Sequence, residues 1–241
     1  MVPQELLLFC LTLTQEGLKD FIEDYLKEDY EVLSTEYGII AKNKHVKALP
    51  LTLVAHLDTI NDHDDKILYR EDIEVDDSII SVKHGVNKVL GADCRAGVAL
   101  ALQFSKDADP LNKPHLVFPL DEEIGCKGAK GLVSEYSNDL ESVVNTLAVI
   151  ELDRMNGNDY ATYQYENVSS HPIIQKLESL GYEEKRGSST DIVQFDSLIN
   201  SLKDTAVFNL SIGYKDQHSP DEILDLEQYE QAYNTLMDLN K

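Results

Sequence analysis

Residues 94–120 read CRAGVALALQFSKDADPLNKPHLVFPL. The first part, residues 94–105, has the apolar spacing of a helix, and residues 115–120 form a short apolar run of the kind found in buried strands. The alternation continues downstream, with strands predicted at 146–152 and 205–213 and helices at 126–136, 171–180 and 226–239. Strands that alternate with helices predict an α/β fold, with an open, largely parallel sheet covered on both faces.

The part of the chain before residue 94 combines a helical pattern with several short runs. Residues 3–28 are predicted to be helical, and apolar or β-branched runs predict strands at 30–34, 37–42, 51–56, 67–70 and 78–82. No internal repeat, low-complexity block or linker divides the sequence. We therefore expect residues 1–241 to form a single domain.

Composition narrows the class of partner. The chain carries 44 Asp and Glu against 21 Lys and Arg, a formal net charge of -23. Nucleic-acid binding needs a basic surface, so a nucleic-acid partner is not expected. The apolar run at residues 6–13 is shorter than the ~18 residues of a membrane span and predicts a buried helix face. Three scattered cysteines, Cys10, Cys94 and Cys126, fit a cytoplasmic protein without disulfides.

Polar residues that follow apolar strands are where an α/β sheet places its chemistry. In VAHLDT, His56 ends a predicted strand and Asp58 follows two residues later, so that both side chains can point to one side. Asp58 could then accept a hydrogen bond from the imidazole nitrogen that is not bound to a metal. Taken alone, the pair is more typical of an ordinary surface.

Acids follow two other predicted elements. Asp93, in VLGADCRAG, opens the helix at 94–105, where it could bridge metal ions or simply cap the helix. In FPLDEEIG, Glu122 and Glu123 are adjacent, so their side chains diverge and one can bind metal while the other holds a proton. The alternative for the acids of FPLDEEIG is a solvated turn. Packed carboxylates resist simultaneous ionisation, however, so a cluster of them favours a nearby cation.

Two further strand ends complete the set. The strand in VIELDR ends in Glu151 and Asp153, and His218 follows the last predicted strand in NLSIGYKDQHSPDE. Together the five places supply two His, two Asp and one Glu as ligands, with one orienting acid and one free Glu. This inventory suits two adjacent zinc ions that share a carboxylate and leave positions open for water.

The motifs AHLDT, LGADCRAGVA, DEEIGCKGAKGL, ELDR and NLSIGYKDQHSPDE, spread over residues 55–222, resemble the MH clan of two-zinc exopeptidases. That clan contains peptidase T, aminoacylase and carboxypeptidase relatives, and glutamyl and leucyl aminopeptidases. The resemblance implies a three-layer α-β-α sandwich with a mixed, largely parallel central sheet. It also implies a role for each motif residue: His56 and Asp153 bind one zinc, Glu123 and His218 the other, Asp93 bridges, Asp58 orients His56, and Glu122 is the catalytic base.

The chain departs from peptidase T and the aminoacylases between Asp153 and His218. Residues 154–217 leave no room for their inserted lid or dimerisation domain, so the resemblance extends to the catalytic domain only, as in the leucyl aminopeptidases. An aminopeptidase that hydrolyses peptides with metal-activated water is the expected function, with zinc replaceable by cobalt or manganese. The alternatives are a deacylase or carboxypeptidase acting on N-acylated amino acids and, in another class, an inactive metal-binding interaction module.

Several other residues have two interpretations. His171 and Tyr214 are candidates to donate a hydrogen bond to the substrate oxyanion, although His171 could simply start a helix. Asp191, in GSSTDI, resembles a substrate-contacting GGTD segment of glutamyl aminopeptidases, but this segment is also typical of a helix cap. Cys94 and Cys126 are expected to be packing residues, and His63, in NDHDD, a solvated loop residue.

Overall fold

The structure, a computed structural model, describes residues 4–45, 50–163, 171–199 and 204–241. The α-helices of this part are α1 Gln4–Thr12, α2 Gln15–Leu26, α3 Ile60–His63, α4 Ala92–Asp107, α5 Lys127–Glu135, α6 Ser137–Val144, α7 Pro172–Ser179, α8 Asp191–Gln194, α9 Asp196–Ile199 and α10 Leu226–Leu239. The strands are β1 Tyr30–Thr35, β2 Gly38–Asn43, β3 Leu51–Val54, β4 Ile73–Asp76, β5 Ile79–Val82, β6 His115–Pro119, β7 Ala148–Arg154, β8 Asp159–Ala161, β9 Glu183–Glu184, β10 Ala206–Ser211, β11 Tyr214–Lys215 and β12 Ile223–Asp225.

The central sheet has eight strands in the order β1-β2-β6-β3-β7-β10-β8-β9. Its middle strands β6, β3, β7 and β10 are parallel, whereas β1, β2 and β8 join antiparallel neighbours. Leu53 of β3 aligns with Leu116 of β6 and Ile150 of β7. Because the four middle strands run in one direction, their carboxyl ends lie at the same edge of the sheet.

Alternate residues of the sheet pack against helices on opposite faces. Leu53 belongs to a core that includes buried residues of α1, α2, α4, α7 and α10. The next residue, Val54, belongs to a second core, which includes residues of α5, α6, α8 and α9. This follows from the two-residue period of a strand, which sends neighbouring side chains to opposite faces. The chain is therefore an α-β-α sandwich around a mixed sheet, and the predicted fold class is confirmed.

A smaller antiparallel sheet lies beside this core and was not predicted. Its four strands follow the order β11-β12-β5-β4. The predicted strand at 78–82 is present as β5, but it belongs to this second sheet. The connection between β11 and β12 carries His218, so the small sheet positions one of the predicted ligands.

Two sequence-based boundaries need correction. The helical pattern at 3–28 is two helices, because the Thr14 side chain accepts a hydrogen bond from the backbone N–H of Gly17 at 3.2 Å and caps α2. The strand predicted at 67–70 is wrong. Asp72 closes a 3₁₀ turn at this place: its side chain accepts from the Tyr69 N–H at 3.0 Å, and β4 begins only at Ile73.

The apolar run at residues 6–13 lies mostly in α1, where Leu7, Cys10 and Leu11 are buried in the core. Among the helices of the described residues, none combines the length and apolar character needed to cross a membrane.

Candidate metal centre

Five predicted ligands converge at the carboxyl edge of the central sheet. His56 follows β3, Glu123 follows β6, and Asp153 is the second-last residue of β7. Asp93 is the second residue of α4, and His218 lies in the connection between β11 and β12. For His56, Glu123 and Asp153 the convergence follows from topology, because the middle parallel strands all end at this edge.

Asp93 lies between two pairs of side chains. Its Oδ1 is 3.1 Å from His56 Nε2, and its Oδ2 is 3.2 Å from His218 Nε2. On the first side, His56 Nε2 is also 3.4 Å from Asp153 Oδ1. On the second side, His218 Nε2 is 2.9 Å from Glu123 Oε2. One carboxylate thus presents an oxygen to each of two His–carboxylate pairs.

A close approach between α4 and β7 makes this arrangement possible. A Cβ atom at Gly97 would lie 2.1 Å from the backbone carbonyl oxygen of Leu152, so that only glycine lets the helix sit this near the strand. Asp93 lies four residues before Gly97, and Asp153 directly follows Leu152. The glycine therefore brings two acids from different elements to one site.

Asp58 holds several parts of the site together. It is fully buried, and His56 Nδ1 lies 3.3 Å from its Oδ1 and 3.1 Å from its backbone carbonyl oxygen. The Asp58 carboxylate also accepts the backbone N–H groups of Glu122 at 2.9 Å and Glu123 at 3.0 Å. Burial alone would raise the pKa of Asp58, but the hydrogen bonds from His56, His63 and the Glu122 amide lower it. Asp58 thus stays ionised and fixes the ends of β3 and β6.

Glu122 and Glu123 point to different partners, as expected for adjacent residues. Glu123 Oε2 faces His218, whereas Glu122 Oε1 is 3.5 Å from the thiol of Cys126, which donates to it. Burial raises the pKa of Glu122. The charges of Glu123 and Asp93 raise this pKa further, whereas His56 acts in the opposite direction. A carboxylate with a raised pKa is suited to take up a proton.

The charges of the clustered acids favour a cation bound among them. Burial and the neighbouring Asp93 raise the pKa of Asp153 to about 8. Hydrogen bonds to Asp93 and Glu123 raise the pKa of His218 to about 10. Packed carboxylates disfavour one another's ionisation, and a cation among them removes that penalty.

The residues present fit a zinc site. Glu123 Oε1 is buried, and no hydrogen-bond partner for it exists among the described residues. One ligand atom each from His56, Asp93 and Glu123 lies within 4.8 Å of the others. Imidazole nitrogens and carboxylate oxygens are ligands that zinc takes in proteins. The described chain therefore offers the donor set and a buried oxygen that requires a partner.

The other predicted site residues fall in different places. Tyr214 lines the cleft, with its hydroxyl 3.3 Å from Asp153 Oδ1. Asp191 is fully buried and does not line the cleft. His171 is not brought to the site, because its ring is used at the start of α7. Its Nδ1 accepts from the Ile173 N–H at 3.2 Å, and its Nε2 lies 3.1 Å from the Asp204 carbonyl oxygen.

Sequence reasoning missed three residues that support the site. Asn209 accepts the Asp153 N–H at 3.0 Å and donates to its carbonyl oxygen at 2.8 Å. Thr190 donates to Asp153 Oδ2 at 3.1 Å. His63 is exposed, as predicted, but it ends α3 instead of lying in a loop, and its Nε2 lies 2.8 Å from Asp58 Oδ2. In the sequence, the position of Asn209 within the apolar run at 205–213 is a signal for the first of these residues, whereas the spacing marks neither Thr190 nor His63.

The centre opens into a cleft of about 480 Å³, a size suited to a short peptide or another small ligand. Its acidic floor consists of Asp93, Glu122, Glu123 and Asp153. The residues elsewhere around it are Arg154, Met155, Asn156, Tyr163, Arg186, Gly187, Ser188, Ser189, Thr190, Asn209, Tyr214, Gln217 and His218. Arg154 and Arg186 thus add positive charge to this lining, in a chain with a strong excess of acids.

Solved structures share this fold at low sequence identity. A tripeptidase from Staphylococcus aureus aligns with a TM-score of 0.72 and 13% identity over 99% of this chain and 96% of its own. Aminopeptidase PepT from Bacillus cereus gives 0.68 and 12% identity, with 99% and 98% covered. An aminopeptidase from the archaeon Desulfurococcus kamchatkensis gives 0.64 and 14% identity, with 98% and 93% covered. A comparison with curated proteins gives no significant match.

The sequence itself matches a peptidase family over most of its length. Residues 38–237 match peptidase family M28, a range that includes His56, Asp93, Glu122, Asp153 and His218. The predicted resemblance to the zinc exopeptidases is therefore confirmed. The chain belongs to peptidase family M28, and it is a zinc-dependent peptidase.

Proposed function

We propose that the chain is a two-zinc aminopeptidase that removes residues from the N-terminus of peptides. The placement of Asp93 carries this proposal, since its two oxygens face His56 on one side and His218 on the other at 3.1 and 3.2 Å. A shared carboxylate between two ligand pairs is what two adjacent zinc ions need. Asp153 completes the first pair, and Glu123 completes the second.

The chain's own residues divide the remaining work. When bound, two zinc ions supply Lewis-acid activation of water and of the scissile carbonyl. Asp58 holds the His56 ring through its buried carboxylate and backbone oxygen. Glu122 takes a proton from the attacking water and returns it to the leaving amine. Tyr214, which lines the cleft, is the candidate to donate a hydrogen bond to the developing oxyanion.

The cleft and the similar proteins both support a peptide as the substrate. A cleft of about 480 Å³ accommodates a short peptide or the flexible end of a longer one. The similar structures include a tripeptidase and aminopeptidases. Together these observations support peptides as substrates, with cleavage at the free amino end.

We further propose that this is a catalytic domain without a lid, located in the cytoplasm. Between Asp153 and His218, the described residues supply β8, β9 and β10 to the central sheet and α7, α8 and α9 to its two faces. The described part of this interval is thus used within the sandwich. Cys10, Cys94 and Cys126 are free and buried, which suits a reducing compartment.

A deacylase or carboxypeptidase remains the second candidate function, and the arginines of the cleft favour it. Arg186 is exposed at the cleft, and Arg154, whose Nε donates to Asp159, also lines it. Either guanidinium could pair with the free carboxylate of an N-acylated amino acid or of a peptide C-terminus.

A comparison of matched substrates separates the two functions. The zinc-loaded protein should hydrolyse Leu-Gly-Gly, and its kcat/KM for N-acetyl-Leu-Gly-Gly should be lower by about 10- to 100-fold, the loss expected when a charge-assisted hydrogen bond to the free amine is removed. Preferred hydrolysis of the acetylated peptide would contradict the aminopeptidase assignment. Protein treated with a chelator controls for contaminating peptidases that need no metal. Failure of the zinc-loaded protein to cleave either peptide would count against both candidate functions for this substrate sequence.

A further inference from the structure

Glu222 is a buried carboxylate with no role in the mechanism above. It is 1% exposed and lies four residues after His218, immediately before β12. Its Oε2 accepts the backbone N–H of Gly91 at 2.9 Å, and its Oε1 accepts the backbone N–H of Asp93 at 3.1 Å. Burying a carboxylate is costly unless it is well hydrogen-bonded, so these contacts are specific features of the fold.

These hydrogen bonds hold the start of α4, where the backbone departs from helical geometry at Asp93 and Cys94. The residue before the helix is Gly91, which has a φ of 73° and no side chain to accept the first backbone N–H groups. Unpaired N–H groups at a helix start need an acceptor, and a negative charge there also interacts favourably with the helix dipole. Glu222 supplies both from a segment that is distant in sequence.

The same two segments also meet through the metal centre. Asp93 Oδ2 lies 3.2 Å from His218 Nε2, while the Asp93 backbone is held by Glu222. The connection between β11 and β12 is therefore attached to the start of α4 at two points. One point is a contact between ligands and the other is a hydrogen bond to the main chain, so Asp93 and His218 cannot shift independently.

We propose that Glu222 is a positioning residue, which sets the relative position of Asp93 and His218 and so controls metal binding by the Glu123–His218 pair. This inference rests on the two-zinc site of the proposed function. It assigns to Glu222 an effect on metal affinity that is separate from its contribution to stability. Partners that orient metal ligands typically change affinity by about 10- to 100-fold when they are removed.

Glu222→Gln tests this role with little change in size. The glutamine amide has one accepting oxygen and one donating nitrogen, so one of the two backbone N–H groups loses its acceptor. Zinc dissociation constants would be measured on the metal-free protein by competition with a chromophoric chelator. We expect one of the two zinc dissociation constants, that of the site with Glu123 and His218, to rise about 10- to 100-fold, while the other changes little.

Asp225→Asn is the matched control. Asp225 also accepts two backbone N–H groups, those of Glu227 at 3.1 Å and Gln228 at 3.3 Å, and caps α10. It lies three residues from Glu222, and within the described chain it forms no contact with a proposed ligand. Both substitutions should lower the Tm of the metal-free protein, but Asp225→Asn should leave both zinc affinities unchanged.

The outcomes separate this inference from the function on which it rests. Wild-type protein that binds two zinc ions, with Glu222→Gln matching both affinities, would overturn the role of Glu222 alone. Wild-type protein that binds no zinc would overturn the proposed function and this inference together. If Glu222→Gln does not fold, Glu222→Asp keeps the charge but shortens the side chain, and the same loss of affinity at one of the two zinc sites is expected. Zinc affinities of Glu222→Asp that equal those of the wild-type protein at both sites would again contradict the proposed role of Glu222.

Discussion

Glu122→Gln is expected to lower kcat by about 10²–10⁴-fold while leaving the fold and the metal content unchanged. Glutamine has nearly the same shape as glutamate but cannot accept the proton of the attacking water. The loss corresponds to about 3–5 kcal/mol of transition-state stabilisation. Glu122 contacts the Cys126 thiol rather than a histidine of the cluster, so its replacement should not remove a metal ligand. Steady-state kinetics and elemental analysis of the purified variant measure both effects.

Glu123→Gln is the matched comparison, since it makes the same chemical change one residue away. Glu123 faces His218 at 2.9 Å, so this variant should lose occupancy at one metal position. Excess zinc should restore part of its activity, whereas it should not restore that of Glu122→Gln. Near-normal turnover of Glu122→Gln, or its recovery with added zinc, would mean that another residue is the base.

Asp93→Ala is expected to lose more metal than any other single ligand substitution. Asp93 is the residue whose carboxylate faces both His56 and His218, so its removal affects both pairs at once. The alanine variant should retain fewer zinc ions per chain after gel filtration than variants of Asp153 or Glu123. Activity should be lost with the metal.

A nearby acid outside the cluster provides the control for Asp93→Ala. Asp121 also follows β6, but its Oδ1 accepts a hydrogen bond from Gln15 Nε2 at 3.1 Å. Asp121→Ala should therefore keep a full complement of zinc. Circular dichroism would show that both variants are folded. Retention of two zinc ions by Asp93→Ala would show that Asp93 is not the shared ligand.

The fold and the proposed ligands were predictable because their signals are local. A helix period in residues 94–105 and apolar runs such as 115–120 are contained within short windows. The proposed ligands could be expected to lie together because polar residues follow apolar strands and parallel strands end at one edge. His56, Glu123 and Asp153 each come from such a strand end.

The supporting residues could not be found in this way, because their contacts join distant parts of the chain. Glu222 accepts from Gly91 and Asp93, more than a hundred residues earlier, and Asn209 binds the backbone of Asp153. The second sheet escaped prediction for a related reason. Its strands β11 and β12 have only two and three residues, too few to show an alternating pattern, and they are stabilised by pairing with each other and with β5.

The number of metal ions per chain tests the central claim most directly. Metal-free protein would be loaded with excess zinc, separated from free metal by gel filtration and analysed for zinc and protein. The arrangement of Asp93 between two His–carboxylate pairs predicts two zinc ions per chain, with peptide hydrolysis lost on chelation and restored by zinc. A single tightly bound ion, with no second site at saturating zinc, would contradict the account.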